Sequence, residues 1–340
     1  MRIAIDGMGG DFAPCEIVKG AVESLEELND VEIIITGDMH LLGEELKQYN
    51  NPSRITVFPT EEIITMNDHP REALLKKKNS SLYKAIQLVK EKEASGIVSA
   101  GNTGAQMAIS LFVLGRLPGV SRPAIGVPIP YKNSMGLLID GGANADVTVR
   151  EYLVFALLGK VYLESILGRS VTLGLLNIGE EPEKGSRMVQ EAHKLLKKHF
   201  KEFKGNIEAN EILSHKVDVV VTDGFTGNML LKAIEGTAET VLGGFKEAVD
   251  KSFKAKIGGL LLKNSLKGII KSFDYETFGG SPLLGIDGIS IIAHGRSRHT
   301  AIKNAIKVCC RIDREKIIDK FKEQLSDESF RDTENNSRKN

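Results

Sequence analysis

Short runs of apolar residues recur along the chain, and most of them end in a glycine-rich or polar segment. These runs have the length of β-strands and are rich in Val and Ile, which favour strands. We therefore predict strands at Ile3–Ile5, Val31–Ile35, Ile55–Phe58, Gly96–Ser99, Ala124–Ile129, Gly136–Ile139, Val171–Leu176, Val217–Val221 and Ile289–Ile292.

Helical patterns lie between most of the predicted strands. Apolar residues recur at steps of three and four from Ile17 to Leu28, and Ser81–Lys92 repeats that spacing. Strands that alternate with helices are typical of a mainly parallel sheet with helices on both faces. The sequence therefore predicts a three-layer α/β/α sandwich of the Rossmann-like class.

The chain has no repeat of fixed period and no low-complexity linker. We predict a single α/β unit over residues 1–325, with a helical insertion after Thr237. Residues 326–340 are polar and without periodicity, and are predicted to be a disordered tail.

Composition and charge narrow the classes of function. The 340 residues include 45 basic and 45 acidic side chains, and this balance argues against nucleic acid as a partner, because nucleic-acid-binding proteins carry a basic excess. Three cysteines cannot form a disulfide framework, so we expect a reducing, cytoplasmic setting. The adjacent Cys309 and Cys310 lie in an apolar helical pattern and are predicted to pack in the core.

No apolar run has the length of a membrane span, and we expect no signal peptide.

Polar, glycine-rich loops follow six of the predicted strands. They are Asp6–Asp11, Ala100–Gly104, Asp140–Asn144, Asn177–Ser186, Thr222–Asn228 and His294–Ser297. In an open parallel sheet the carboxyl ends of the strands share one edge, so we expect the six loops to meet there. Glycine lets backbone N–H groups approach an anion, and helix N-termini add partial positive charge. We predict a site for a phosphate-sized ligand; the preference of turns for Gly, Asn and Asp explains any one loop equally well, but not all six together.

The first loop does not match a dinucleotide-binding turn. The G-x-G-x-x-G spacing requires glycine where Phe12 stands, although Asp38 lies roughly where a ribose-binding acid would lie. The sequence contains no Walker A motif, no metal-ligand spacing of His, Cys and Asp, and no G-x-S-x-G elbow. We therefore expect no metal and no cofactor.

The histidines fall into two groups. His69, His193 and His199 lie in a polar loop or a lysine-rich helix and are predicted to be solvated at the surface. His294 follows a buried strand and has Arg296 nearby, so it is a candidate site residue; a structural role at the strand end is equally open.

The motifs IDGMGGDFAP, VSAGNTGA, LIDGGAN, NIGEEPEKG, VVTDGFTGN and DGISIIAHGRS resemble those of the PlsX family, the acyl-acyl carrier protein:phosphate acyltransferases, in order from Met1 to about Arg311. The resemblance implies a fold like those of isopropylmalate dehydrogenase and phosphotransacetylase, and a homodimer. It also implies that inorganic phosphate attacks the thioester of a long-chain acyl carrier protein directly, with no covalent enzyme intermediate. A membrane glycerol 3-phosphate acyltransferase would then use the acyl phosphate for phospholipid synthesis.

The resemblance also implies roles for particular residues. Lys184, in the E-x-x-K-G motif, would supply charge to the phosphate, and Asn228 would donate to the phosphate or the oxyanion; His294 would polarise or position. The thiol leaves without a strong general acid, because its reference pKa is about 8.5. We assign the supporting cradle to Gly7, Gly9, Gly10, Asn102, Thr103 and Asn144, with Asp6, Asp140 and Asp223 orienting loops and donors.

Residues 251–273 contain six lysines and no acid. A helix beginning near Leu262 would place Leu262, Leu266, Ile269, Ile270 and Phe273 on one face, beside a stripe of Lys263, Lys267 and Lys271. Such a basic amphipathic helix can lie on an anionic membrane surface. The family resemblance implies peripheral association with the inner face of the cell membrane. The alternative is an ordinary helix that buries its apolar face on the domain or across a dimer.

Two other functions compete with this hypothesis. One is a phosphotransacetylase-like enzyme that uses coenzyme A and short acyl groups, which the basic apolar segment disfavours. The other is a membrane-associated scaffold that binds acyl carrier protein without turnover.

Overall fold

The computed structural model describes residues 1–131, 134–252, 254–258, 262 and 279–327, and within them the chain forms two β-sheets. The strands are β1 (Arg2–Asp6), β2 (Glu32–Gly37), β3 (Ile55–Pro59), β4 (Gly96–Ser99), β5 (Ala124–Ile125), β6 (Val127–Pro130), β7 (Met135–Ile139), β8 (Leu173–Asn177), β9 (Phe203–Glu208), β10 (Val219–Val221), β11 (Ser281–Leu284) and β12 (Ile289–Ile292). The first sheet has the order β3-β2-β1-β4-β12-β11-β5 and the second the order β6-β7-β10-β8-β9.

Most neighbouring strands are parallel, as the sequence predicted. The exceptions lie where the two sheets approach: β11 is antiparallel to β12 and β5, and β6 is antiparallel to β7. Nine predicted strands are present, although one is divided in two. The strands β9 and β11 were not predicted, because the polar sequence of β9 suits the edge of a sheet and β11 contains Pro282, which disfavours a strand.

Helices pack against both sheets. They are α1 (Cys15–Glu27), α2 (Met39–Lys47), α3 (Pro70–Lys76), α4 (Ser81–Lys90), α5 (Thr103–Val113), α6 (Val149–Leu167), α7 (Arg187–His199), α8 (Gly224–Asp250), α9 (His299–Arg314) and α10 (Ile317–Ser326), with a 3₁₀ turn at Ala209–Glu211. In the parts of the chain that the structure describes, no helix is both long and apolar enough to cross a membrane.

The prediction of one sheet with six loops at one edge is wrong, and Gly126 gives the physical reason. The predicted strand over Ala124–Ile129 divides there, so that β5 joins the first sheet and β6 the second. A Cβ at Gly126 would lie 3.2 Å from Leu137 of the second sheet and 3.2 Å from Leu284 of the first. The chain crosses between the sheets at this close approach, where a larger residue would require the two leucine side chains to shift. Three of the six loops therefore belong to each sheet.

One hydrophobic cluster includes strands of both sheets, for example Ile5 in β1 and Val219 in β10. The helix α6 lies at its centre, and 13 of its 19 residues are buried. Thr148 and Glu151 form a capping box that fixes the start of α6, and Gly168 in the left-handed region ends it. This cluster holds the two sheets together.

Two predictions about single residues have different outcomes. Cys309 and Cys310 are buried in the large hydrophobic cluster, which confirms a packing role. His193, in contrast, is 5 % exposed rather than solvated. Its Nδ1 lies 2.8 Å from Asn206 Oδ1, and its ring meets Phe203 edge-on. His193 lies on the buried face of α7 together with Leu196. The lysines near it in the sequence lie on the opposite face, which is why the prediction was wrong.

The basic segment falls mostly outside the described residues, which exclude Lys263, Leu266, Lys267, Ile269, Ile270, Lys271 and Phe273. Of the predicted apolar face, Leu262 is described, and its side chain is 50 % exposed.

Asp218, directly before β10, binds three neighbouring segments. Its carboxylate accepts hydrogen bonds from Arg169 (2.7 Å), from the backbone and hydroxyl of Thr172 (2.8 and 2.9 Å), and from His215 (3.0 Å). Burial alone raises the pKa of this carboxyl, but the Arg169 guanidinium and the other donors outweigh it and hold the pKa well below its usual range.

Because the folded pKa of Asp218 is lower than its unfolded value, ionised Asp218 stabilises the fold in full above about pH 4, and this contribution is lost as pH falls towards the folded pKa. We predict that Asp218→Asn lowers the urea midpoint more at pH 7 than at pH 3. Urea unfolding of both proteins at the two pH values measures the difference. Asp146→Asn, at an exposed carboxylate, serves as the control and should change neither midpoint. An equal loss at both pH values would contradict the prediction.

Candidate active site

The loop after β1 is organised by Asp6. Its carboxylate is buried and accepts hydrogen bonds from the Ser99 hydroxyl (2.8 Å) and the Met8 N–H (3.3 Å). Burial raises the pKa of the Asp6 carboxyl above its ordinary value, although these donors act against the shift. Asp6 thereby joins the ends of the adjacent strands β1 and β4.

The three loops of the first sheet are in contact with one another. Asp11 N–H donates to the Gly295 carbonyl over 2.8 Å, which joins the loop after β1 to the loop after β12. Gly10 has φ +106°, and a Cβ there would lie 3.3 Å from the Gly295 oxygen and 3.1 Å from Ala100. Gly7 and Gly9 lie in the same loop, where a side chain on Gly9 would collide with the Asp6 carboxylate.

Asn102 caps α5 and fastens a neighbouring loop. Its Oδ1 accepts from Ala105 N–H (3.0 Å), while its amide donates to the carbonyl oxygens of Thr65, Met66 and Asp68 over 2.9–3.2 Å. The side chain is therefore engaged in holding the backbone. The first residue of α5, Thr103, is exposed, and the N–H groups of this first turn are what the loop offers to an anion.

The loop after β7 is built around Asp140, whose side chain is fully buried. One carboxylate oxygen accepts from the N–H groups of Ile125 (3.0 Å), Gly142 (3.1 Å) and Ala143 (2.9 Å). The other accepts from the backbone (2.8 Å) and the amide (2.9 Å) of Asn144. Burial raises the pKa of Asp140, and the five donors oppose that shift. Since Ile125 belongs to β5, this carboxylate joins the first sheet to a loop of the second.

The start of α8 packs directly on the Asp140 loop. Gly224 N–H donates to the Asn144 carbonyl (2.8 Å), and a Cβ on Gly227 would lie 2.0 Å from the Asp140 carbonyl oxygen. Asp223 caps the helix through the N–H of Thr226 (2.7 Å). Tyr152 also donates to Asp223, over 3.3 Å, and burial together with the Asp223 charge raises the pKa of this phenol.

Asn228 and Lys184 are exposed polar side chains of this region. Asn228 lies next to Gly142 and makes no hydrogen bond to another described residue. The Lys184 ammonium has no ion-pair partner in the described part of the chain, and its stem lies over Gly179. The Asn177 amide fixes the Lys184 backbone by donating to its carbonyl (3.0 Å). Both side chains are thus available to a ligand.

His294 is exposed directly after β12, and its Nδ1 accepts from Arg296 N–H over 3.3 Å. Sequence analysis missed the neighbouring contact in which the Arg298 guanidinium lies 4.6 Å from the centre of the Phe12 ring. Phe12, which stands in place of a third glycine, thereby joins two loops through a cation–π contact.

A cavity of about 610 Å³ opens beside the loops of the second sheet, and it was also missed. It lies between α7 and α8 and is bordered by Asn177, Gly185 and Asp223. Four separate segments, within residues 145–152, 176–189, 209 and 225–230, supply its apolar walls, so no local pattern could reveal it. The one signal in the sequence is the presence of Ile178 and Phe225 inside otherwise polar loops.

The arrangement suits an anion. The loops begin α5, α7 and α8, whose N-termini carry partial positive charge, and Lys184 adds a full charge. Ala143 packs against the cluster of Ala105, Ile109 and Ile292, so a loop of the second sheet adjoins the first sheet. Among the described residues no group of His, Cys, Asp and Glu could hold a metal ion.

Sequence comparisons match this chain over nearly its whole length to one family and to relatives that share one name. The family described as "Fatty acid synthesis protein" matches residues 1–320. A phosphate acyltransferase of Clostridium tetani is 48% identical over 327 residues, covering 96% of this chain and 98% of that protein. A phosphate acyltransferase of Halothermothrix orenii is 46% identical over 330 residues, covering 96% and 99%.

Comparisons with solved structures show the fold. A phosphotransacetylase from Streptococcus pyogenes superimposes with a TM-score of 0.62 at 16% identity, covering 92% of this chain and 94% of that one. A branched-chain phosphotransacylase from Enterococcus faecalis gives 0.56 at 15% identity, covering 91% and 98%. These structures confirm the phosphotransacetylase-like fold that the sequence predicted.

The close packing of α8 on the Asp140 loop predicts that Gly227→Ala disrupts the site. Its Cβ would meet a backbone oxygen at 2.0 Å, so the start of α8 must shift and the free energy of unfolding should fall by about 1–3 kcal/mol. Gly236→Ala in the same helix is the matched control, because a Cβ there has no neighbour within 4 Å. The control should stabilise the protein by up to about 1 kcal/mol. Urea unfolding measures both, and an equally stable Gly227→Ala protein would show that this packing is not tight.

Proposed function

This chain belongs to the PlsX family of phosphate acyltransferases, and on that premise we propose that it transfers a long-chain acyl group from acyl carrier protein to inorganic phosphate. The observation that carries the proposal is similarity, over nearly the whole chain, to relatives named phosphate acyltransferase. Acyl transfer to phosphate is the activity of this enzyme. What we propose is the identity of the acyl donor.

The proposed reaction needs no nucleophile from the protein. A phosphate oxygen attacks the thioester carbonyl, a tetrahedral oxyanion forms, and the C–S bond then breaks to release the carrier thiol as thiolate. Because a thiol of pKa about 8.5 is a good leaving group, the protein has chiefly to hold a dianion against the carbonyl and stabilise the oxyanion.

We assign these tasks to the exposed donors of the two sets of loops. Lys184 balances the charge of the phosphate, and Asn228 donates to the phosphate or to the oxyanion. His294, on the other sheet, positions the ligand. We place Gly7, Gly9, Gly10, Thr103 and Asn144 in the cradle. The N–H groups of Gly7 and Asn144 already donate to the Thr36 carbonyl and to the Asp140 carboxylate, so these two residues support the loops. We assign contact with the anion to the backbone N–H groups of Gly10 and Thr103. The buried hydrogen bonds of Asp6, Asp140, Asp223 and Asn102 support a role in which these side chains orient the loops.

We further propose that the enzyme acts as a homodimer at the inner face of the cell membrane, where a membrane acyltransferase uses the acyl phosphate to acylate glycerol 3-phosphate. Six lysines without an acid in residues 251–273 support attraction to anionic lipid. The exposed Leu262 supports an apolar contact there.

Phosphate-dependent thiol release from a purified long-chain acyl carrier protein tests the proposed function. We expect acyl phosphate and free carrier in equal amounts. A clear preference for short coenzyme A thioesters would favour a phosphotransacetylase-like enzyme, and no release at all would favour a scaffold.

Lys184→Ala should lower kcat/KM for phosphate by about 100-fold, because a charge-assisted contact to a dianion is removed. Thermal unfolding should be unchanged, since the ammonium pairs with no described residue. Lys197→Ala, at an exposed lysine near the end of α7, is the matched control and should retain full activity. Near-normal activity of Lys184→Ala would remove Lys184 from the site.

Replacing Leu266 and Ile270 with Glu should release the protein from anionic vesicles while activity on soluble substrate is largely kept. The reason is that two carboxylates on the predicted apolar face oppose both burial in lipid and attraction to anionic headgroups. Vesicle sedimentation measures binding, with Leu41→Glu, an exposed leucine on α2, as the control. Unchanged binding of the double variant would favour packing of this helix within the protein.

A further inference from the structure

The cavity between α7 and α8 has apolar walls that face solvent. Ile178 is 81 %, Phe225 63 %, Met229 57 % and Met188 43 % exposed, and all four side chains line it. Large apolar side chains that cluster at one exposed concave surface mark a binding site rather than a chance distribution.

The polar groups in the walls are already satisfied by the protein. The Asn177 amide donates to the Lys184 carbonyl, and the Ser186 hydroxyl caps α7 at Val189 N–H. Thr226 Oγ1 donates to the Asp223 carboxylate over 2.8 Å, as does the Tyr152 phenol over 3.3 Å. The walls therefore offer apolar surface to a ligand and few free hydrogen-bonding groups.

The charges in the walls exclude phosphate from the cavity itself. Its two charged lining residues, Asp146 and Asp223, are both acidic. Lys184 directly precedes the lining residue Gly185 in the chain, and Asn228 directly precedes the lining residue Met229. These walls suit an uncharged chain, and the donors Lys184 and Asn228 each adjoin a lining residue in the sequence.

We propose that this cavity binds the alkyl chain of the acyl group, and that Met188 and Met229 determine preference for chain length. The proposal rests on the proposed function, because the carbonyl end of such a chain then lies at the phosphate site. Methionine suits this task, since its flexible side chain adapts to an alkyl chain.

The test uses Met229→Glu and Met188→Glu, two variants on different helices at exposed positions. The ratio of kcat/KM for a sixteen-carbon thioester to that for an eight-carbon thioester should fall at least tenfold in each, because the longer chain buries more apolar surface. The KM for phosphate should stay within twofold. Met39→Glu, a 53 % exposed methionine at the start of α2, is the matched control and should leave the ratio unchanged.

A binding measurement separates this inference from the proposed function. Calorimetry with a twelve-carbon alkylphosphonate should show at least tenfold weaker binding to both variants, whereas inorganic phosphate should bind as it does to the unchanged protein. If the unchanged protein forms no acyl phosphate, the proposed function fails, and this measurement still decides what the cavity binds.

Two outcomes would overturn the inference. One is an unchanged chain-length ratio together with unchanged alkylphosphonate binding in both folded variants. The other is an equal loss for both thioesters with alkylphosphonate binding retained, which would assign the cavity to the arm of the carrier instead.

Discussion

The candidate site depends on the hydrogen bonds that the buried Asp140 carboxylate accepts. This carboxylate accepts five hydrogen bonds, one of them from β5 of the first sheet and four from its own loop in the second. Burying a carboxylate costs free energy of folding unless its oxygens accept hydrogen bonds. The five donors around Asp140 therefore hold fixed positions relative to one another. That arrangement fixes the loop on which α8 begins. The position of Asn228 therefore follows from a residue that need not touch the ligand.

In the other loops, too, some side chains hold the backbone in place while other groups are left for a ligand. Asp6, to which the sequence analysis gave an orienting role, and Asn102, which it placed in the cradle, both hold neighbouring loops through hydrogen bonds. What remains for an anion is the set of N–H groups at helix starts, together with the exposed Lys184 and Asn228. A site made in this way is organised before the ligand arrives, because its donors are held by buried contacts.

Much of this structure follows from the sequence. Buried strands such as β1 and β10 are short apolar runs, and such runs are visible without any tertiary information. The division of the chain at Gly126 is different, because a single glycine in an apolar run has no local signal for a change of sheet. His193 shows the same limit, because the lysines near it in the sequence do not reveal that His193 lies on the buried face of α7 with Ala192 and Leu196. The candidate site could be found as a set of loops, but the sequence could not show that the loops belong to two sheets. Nor could it reveal a cavity whose walls come from distant segments.

The helix α8 is packed against the protein at its start and extends well beyond that contact. Its foot is fixed between the Asp140 loop and a small cluster that includes Leu230, Leu231 and Ile234, whereas residues further along, such as Val241, are exposed. With 27 residues, the helix is about 40 Å long, so a tilt of about 5° at its foot displaces its far end by about 3 Å. A change of tilt at the Asp140 loop would therefore displace Asp250, immediately before the lysine-rich segment, more than the residues near the loop. Any such motion would thus be largest next to the segment for which we propose a membrane contact.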